Sequence, residues 1–407
     1  MSKNVINYAI ADFDLAGKEI ITMNPIVKEY LVDALDKYKA SKRKKNEIKK
    51  FEDCRRKEIY EKVQLTDTQK KEIDEFYMTN YGEKIPYTWH RHYTAFTGKF
   101  DVKYFPELLF IPEFERFMNP YEAYAEVYSD KNLLPWIAKS VGVKMPNTVM
   151  SCASGMLRDQ HSMPITSAHA CDILNHCGKV FAKPSVDTCS GQGCMALEFK
   201  DGIDISSGKT YKEIFTELGR DFVVQERIVC HESISRIYAN SVNTFRVMTY
   251  RWKDEIKHAP VIMRIGKGGA CVDNAHAGGI FVAIDDDGRM HESAFTEFKC
   301  EFKEHPDTKV VFSEQKLPLI SSVLDSATKM HCAMPQIGVI NWDFTVDEVG
   351  EPVLIEANIN GGSIWLFEMA HGKGAFGEDT AEILHLQWMG KVKKLTPSER
   401  VEHYFGE

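Results

Sequence analysis

The chain has 407 residues, 43% of them hydrophobic and 27% charged, which is enough to bury a substantial core and to divide into two or three lobes. A formal charge of -8 argues against nucleic acid as the main partner, and no run approaches the ~20 apolar residues of a membrane span. Ten cysteines at irregular spacings lack the two-residue gap of zinc and redox motifs, so they read as reduced thiols of a cytoplasmic protein.

The first twenty residues contain Asp12 and Asp14 and do not form a signal peptide. Residues 25 to 80 read as helical, with Ile48, Phe51, Ile59 and Val63 spaced for one apolar face. Between Lys37 and Lys57 stand eleven Lys or Arg against three acids, so the rest of the chain carries about -16. That run is a solvated helix face or a peripheral contact for an anionic surface. Residues 85 to 120, dense in aromatics and prolines, predict an irregular but packed lobe, in which "WHRH" sets His90 and His92 on one strand face. A helix capped by Ser129 is expected next, then a strand and turn in "TVMSCASGMLRD" and a helix capped by Thr166 or Ser167 and closed by Gly178. "KVFAKPSVDTCSGQGCMALEF" reads as strand, small-residue loop, strand, and "FVVQERIV" as another strand. The second half holds strands in "NTFRVMTYRW", "APVIMRIG", "GGIFVAID", "IGVINWDFTVD" and "EPVLIEANI", with "DDDG" and "DEVG" as hairpin turns. The class is α+β, with an antiparallel C-terminal sheet and a smaller lobe before it.

Two look-alikes fail. "GIDISSGKT" has five residues, not four, between Gly202 and its Gly-Lys-Thr and follows a turn instead of a strand, so it is no phosphate loop. "WDF" at Trp342 lacks the His-Arg-Asp loop that a kinase requires before it.

A site for a nucleoside triphosphate needs a cation at the phosphates, backbone N–H groups to cover them and oxygen ligands for magnesium. It also needs polar atoms beside an apolar pocket for the base. Candidates occur in that order. Lys183 ends the strand "VFAK"; Ser190, Gly191 and Gly193 are small enough for close backbone approach; Gln225 and Glu226 end an apolar strand. Asp343 and Glu356 lie thirteen residues apart on strands joined by "DEVG", and Asn358 shares the face of Glu356. Two carboxylates and an amide on one face require a cation between them, and hard oxygens select magnesium; a buried arginine–carboxylate network is the alternative.

Together with "YFPELLFIPEFERFMN", "SDKN", "NTFRVMTY" and "MRIGKGGACVDNAHAGGIFVAID", these residues resemble the ATP-grasp fold in its sugar-transfer-associated branch, over roughly residues 75 to 375. The resemblance implies two α+β lobes gripping ATP, with an added helical region at the N-terminus. The expected division is residues 1–128, then a small lobe at 129–225, then a large lobe at 226–407. It implies that Lys131 and Lys183 contact phosphates, that residues 190 to 193 cover them, and that Glu226 and the backbone around Ile228 meet adenine. His231 or Glu232 would lie near the ribose. Asp343, Glu356 and Asn358 would hold two magnesium ions, and Arg246 and Arg264 would stabilise the transferring phosphoryl group. His276 is a lesser candidate on the substrate side. Asp187 and Cys189 depart from the more glycine-rich cover usual in the family. The expected chemistry is ATP-dependent ligation of a saccharide or small-molecule carboxylate to an amine, or to a thiol, through an acyl-phosphate in polysaccharide or cell-surface synthesis. The alternatives are a kinase acting on a hydroxyl and a non-catalytic nucleotide-binding scaffold.

Overall fold

A computed structural model describes residues 25–120, 122–186, 193–317 and 320–392, together with 395 and 399. The N-terminal region is helical: α1 Pro25–Lys50, α2 Cys54–Glu61, α3 Asp67–Asn80 and α4 Thr88–Thr97. Side-chain caps set two of these boundaries. Asp53 accepts from Arg55 N to start α2, and Thr66 with Gln69 makes a reciprocal capping box on α3. The break between α1 and α2 interrupts the expected single stripe. Phe51 and Ile59 are buried but Ile48, in the last turn of α1, is 47% exposed. The basic run is more than a solvated face, because Lys39 pairs with Glu122, Lys44 with Glu113, and Arg56 with Glu297.

His90 and His92 lie on α4 and not on a strand. Both are buried, and burial pushes them down to about 4 and about 3, so they pack as neutral rings. A wide π-helical turn, Phe110–Glu115, then leads to α5 Glu122–Ser129 and α6 Leu134–Ser140. Ser129 therefore ends a helix where a cap was expected. The intervening turn is held by Asp130, which accepts from Asn132 N at 2.8 Å.

Two antiparallel sheets follow. The smaller comprises β1 Thr148–Ala153, β2 Met156–Asp159, β3 Lys179–Pro184, β4 Met195–Lys200, β5 Ile203–Asp204 and β6 Phe222–Glu226, in the order β2-β1-β6-β3-β4-β5. It is backed by α7 Ser167–His176, capped by Thr166, and α8 Tyr211–Leu218, around a core of Met150, Leu174, Val180, Ile214 and Phe222. The larger comprises β7 Thr244–Trp252, β8 Glu255–His258, β9 Ile262–Ile265, β10 Ile280–Ile284, β11 Met290–Phe295, β12 Glu301–Phe302, β13 Val339–Val346 and β14 Pro352–Asn358. Its order is β12-β11-β10-β9-β7-β13-β14, with β8 also on β7.

The two faces of the larger sheet have different covers. Phe245, Val247, Ile340, Trp342 and Phe344 point into a core shared with α5, α6 and α9 Ile320–Cys332. The other face, with Met248, Tyr250, Ile262 and Phe281, is covered by the N-terminal helices together with α10 Trp365–His371 and α11 Thr380–Val392. On that second face Thr244, Arg246, Arg264 and Asp343 continue the same rows where the aromatic cover stops. Bridges from Lys144 to Val353 and from Cys230 to Asp347 tie the segments flanking the small sheet to the β13–β14 hairpin.

Candidate active site

The β13–β14 hairpin sets Asp343 directly opposite Glu356 and Asn341 opposite Asn358, while β7 places Arg246 opposite Asp343 from the other side. The alternation that buries Trp342 and Ala357 in the core turns these polar neighbours to the opposite face. Arg246 grips Asp343 through Nε at 2.6 Å and Nη2 at 3.1 Å. Arg264 reaches the same carboxylate at 3.1 Å and Asp273 at 3.2 Å, and donates to Thr244 Oγ1 through Nε and Nη2. Asn358 Nδ2 donates to Asp343 Oδ2 at 3.3 Å.

Two lysines arrive from the other side. Lys131 lies in the turn before α6, where its N–H donates to Ser185 O, and its ammonium is 3.2 Å from Glu356 Oε1. Lys183, at the end of β3, donates to Ile355 O at 3.3 Å. The structure thus gathers seven of the expected residues, Lys131, Lys183, Arg246, Arg264, Asp343, Glu356 and Asn358, into one connected cluster.

Burial would push the Asp343 carboxyl up, but the Arg246 and Arg264 guanidiniums outweigh it and hold the group below the ordinary aspartate value. Asp273 shifts the other way. Burial, with Asp343 adding repulsion, raises it despite Arg264. Burial also lowers Lys183; Glu356 opposes that shift and Lys131 reinforces it. Four cations therefore face three carboxylates in a largely buried corner. A surplus of positive charge suits a polyanionic ligand.

Much of the anticipated cation role is taken by guanidinium, the alternative that the sequence left open. A magnesium ion still fits the donor set. Asp343 Oδ1 accepts only from Arg246 among the described residues and keeps a lone pair, and Glu356 and Asn358 are half-exposed beside it. Asn341 Oδ1, buried on the same strand face, has no hydrogen-bond partner among the described residues. An orphaned buried acceptor on the strand face that carries Asp343 suits a hard, hydrated cation.

The residues expected to meet the base and ribose form a separate strip. Gln225 is buried and donates to Pro146 O at 3.3 Å, while Glu226 is exposed and accepts from Asn147 Nδ2 at 2.8 Å. Ile228 is half-buried, His231 caps the helical turn Glu232–Ser235, and Glu232 is exposed. Ser190 and Gly191 lie outside the described residues. Gly193 has φ +73° and a Cβ there would press on Pro184 Cγ at 3.0 Å, so glycine is required at that bend. His276 contacts Glu297 Oε2 at 2.7 Å and its ring lies 5.8 Å from that of Trp365, so its partners are not those of the cluster.

Sequence reasoning missed four contributors. Asn341 stands two residues before Asp343, the same-face spacing that found Asn358 from Glu356. Thr244, which positions Arg264, stands two residues before Arg246 and shares its face, whereas Asp273 carried no such signal, since it comes from a loop outside the sheet. Glu115 is the fourth: its carboxylate accepts from Gly361 N at 2.8 Å and Gly362 N at 2.7 Å, fixing the loop after Asn358.

The family model described as sugar-transfer associated ATP-grasp matches residues 110–383. The N-terminal helices, which the sequence resemblance had included from about residue 75, lie outside that match. No curated protein matches the sequence at a significant level. Among solved structures, the VanG D-Ala:D-Ser ligase of Enterococcus faecalis is 14% identical with a TM-score of 0.38, covering 64% of this chain and 61% of its own. The D-alanyl-alanine synthetase A of Vibrio cholerae is 12% identical with a TM-score of 0.39, covering 67% of both chains. The L-amino acid ligase of Bacillus licheniformis is 13% identical with a TM-score of 0.36, covering 67% of this chain and 49% of its own. The chain thus spans about half to two-thirds of the length of these structures.

Proposed function

This chain belongs to the sugar-transfer associated ATP-grasp family, and from that premise we propose that it is an ADP-forming ligase. It joins the carboxylate of an acidic saccharide or related metabolite to an amine, as part of polysaccharide or cell-surface synthesis in the cytoplasm. ATP binds between the small lobe at 129–225 and the large lobe at 226–407. The observation that carries this reading is the cluster in which Lys131 and Lys183 meet β14 while Arg246 and Arg264 grip Asp343.

Each residue has a task in that reaction. Lys131 and Lys183 take the triphosphate, Gly193 with Ser190 and Gly191 lets backbone approach it, and Gln225, Glu226 and Ile228 hold the adenine. His231 or Glu232 meets the ribose. Asp343, Glu356 and Asn358, with Asn341 behind them, hold magnesium, which when bound neutralises charge on the phosphates. Asp343, Asp273 and Thr244 hold the two arginines rigid, and Nη1 of each guanidinium makes no hydrogen bond among the described residues. Preset donors of that kind stabilise the phosphoryl group as it moves to the substrate carboxylate, with no reorganisation at the moment of transfer. The amine then attacks the acyl carbon and phosphate leaves. No protein nucleophile is needed, so the cysteines have no part in it.

The test is incubation with ATP, magnesium, a panel of acidic saccharides and a panel of amino acids and amines, scoring ADP and new amide masses. ADP release that requires both an acid and an amine supports the ligase. ADP release with a phosphorylated hydroxyl and no amine requirement replaces it with a kinase, and nucleotide binding with no turnover replaces it with a scaffold.

A further inference from the structure

At the far end of the β10–β11 hairpin, Asp285, His291 and His371 bring three ligand atoms within 4.8 Å of one another. They are the only such group of His, Cys, Asp or Glu among the described residues. Asp285 opens the hairpin turn, His291 stands on β11, and His371 is the last residue of α10. The three share no task with the cleft cluster. His291 Nε2 lies 2.8 Å from Asp285 Oδ1, and the rings of His291 and His371 are 5.1 Å apart at 68°.

The backbone already holds one of the two histidines. His371 is 4% exposed and its Nε2 donates to Val261 O at 2.8 Å. A histidine that donates one ring N–H to a backbone carbonyl keeps its lone pair on the other nitrogen and has a fixed ring plane, as metal-binding histidines do. Moving the imidazole proton of His291 to Nδ1 frees Nε2 beside the carboxylate oxygen, with no net proton change. Two neutral imidazoles and one carboxylate are a zinc-type donor set, leaving a fourth position for water. Ligands of a tetrahedral zinc at ~2.0–2.2 Å lie about 3.4 Å apart, so modest side-chain rotation closes the present spacing.

We propose that Asp285, His291 and His371 form a zinc site that staples the β10–β11 hairpin to the C-terminal end of α10, separate from the nucleotide cleft. Its three ligands come from the hairpin turn, the sheet and the helix, so occupancy joins the hairpin to the helix whose last ring also holds Val261, just before β9. Because the ion binds the folded arrangement, it raises the unfolding temperature.

The experiment uses the full chain without a histidine tag, titrated with zinc in excess magnesium, and with cobalt as a spectroscopic probe. The expected result is one tightly held zinc per chain, a tetrahedral cobalt spectrum and a raised Tm. His291→Ala and Asp285→Asn, both at partly exposed positions, each remove a ligand and should weaken zinc by more than the about 10–100-fold that loss of an outer hydrogen-bond partner costs. Absence of zinc uptake by the unaltered chain, or uptake that either variant leaves unchanged, overturns the proposal. Anomalous scattering from zinc-soaked crystals of the unaltered chain decides independently of variant folding: density at the three side chains supports the site, and density only elsewhere overturns it.

Discussion

Asp343 and Glu356 face each other directly across β13 and β14, yet their charges are answered from different directions. Asp343 is neutralised within its own sheet by Arg246 and Arg264, whereas Glu356 takes Lys131 from the turn before α6. Lys131 is in turn tied through its N–H to Ser185, two residues past Lys183. Glu356 is thus the point where the large sheet meets the end of β3, and Asp343 is the anchor that keeps the sheet's own cations in place.

Replacing Asp343 with Asn removes the anchor. Arg246 loses its carboxylate partner, while Arg264 keeps Asp273. Breaking one member of a buried ionic network costs about 3–5 kcal/mol, here lessened by the remaining Asp273. Asp343→Asn should lower the denaturation midpoint and cut magnesium-dependent ATP turnover by about 10²-fold or more. Unchanged turnover, measured as ADP release across a magnesium titration, would remove Asp343 from the metal site.

Period discloses only part of this corner: Asn358 follows Glu356 by two residues and so shares its face. Asp343 meets Glu356 only because of a bulge that spacing does not show. Val346, Thr345 and Phe344 pair in turn with Pro352, Val353 and Leu354, and the extra residue Ile355 then shifts the register by one, without which Glu356 would lie on the other face. The cations were legible only by resemblance, because Lys131 and Arg264 reach the cluster from segments far apart in the chain. Glu115 was illegible for a different reason. It sits in a π-helical turn whose width sets aside the usual helical spacing, and its partners are backbone N–H groups that carry no sequence signature. The break after Lys50 was hidden too, since a cap at Asp53 outweighed an apolar stripe that continued in the sequence.

Lys183 is held in the cluster at an energetic cost. Burial lowers its proton affinity, so below the ordinary lysine value of 10.5 the unfolded chain binds protons more readily than the native one. Stability therefore rises with pH between the depressed native value and 10.5, and below that range the penalty is fully present. Lys183→Met should remove this rise, seen as the difference between the urea denaturation curves of the two proteins as pH increases. The same variant should bind ATP about 10–100-fold more weakly, the worth of one charge-assisted hydrogen bond. Equal affinity in a nucleotide titration would separate Lys183 from the phosphates.

Glu115 gives a pH effect of opposite sign. Burial pushes its carboxyl up to about 7 against the pull of the Gly361 and Gly362 N–H groups, from an ordinary value of 4.5. Between those values the native chain holds a proton that the unfolded chain has lost, so stability falls as pH rises and levels off above about 7. Glu107, pushed up to about 8, adds a decline of the same sign. Glu115→Gln should flatten its share of the slope in denaturant titrations. A slope identical to that of the unaltered chain would show that this carboxyl is ionised throughout.

The paired glycines after Asn358 do different work, and substituting each in turn separates them. Gly361 has φ +71° with open space around it, so Gly361→Ala strains only the backbone, by about 1–2 kcal/mol. Gly362 needs no unusual dihedral, but a Cβ there would collide with the Asn341 side-chain amide and press on Glu115 Oε2. Overpacking of that kind costs about 1–3 kcal/mol, similar to the strain at Gly361, so the two variants should melt at comparable temperatures. Their activities should diverge. Gly362→Ala displaces Asn341 from beside Asp343 and should raise the magnesium concentration needed for half-maximal turnover, while Gly361→Ala should leave it unchanged. An equal magnesium requirement in both variants would mean that Asn341 has no part in holding the ion.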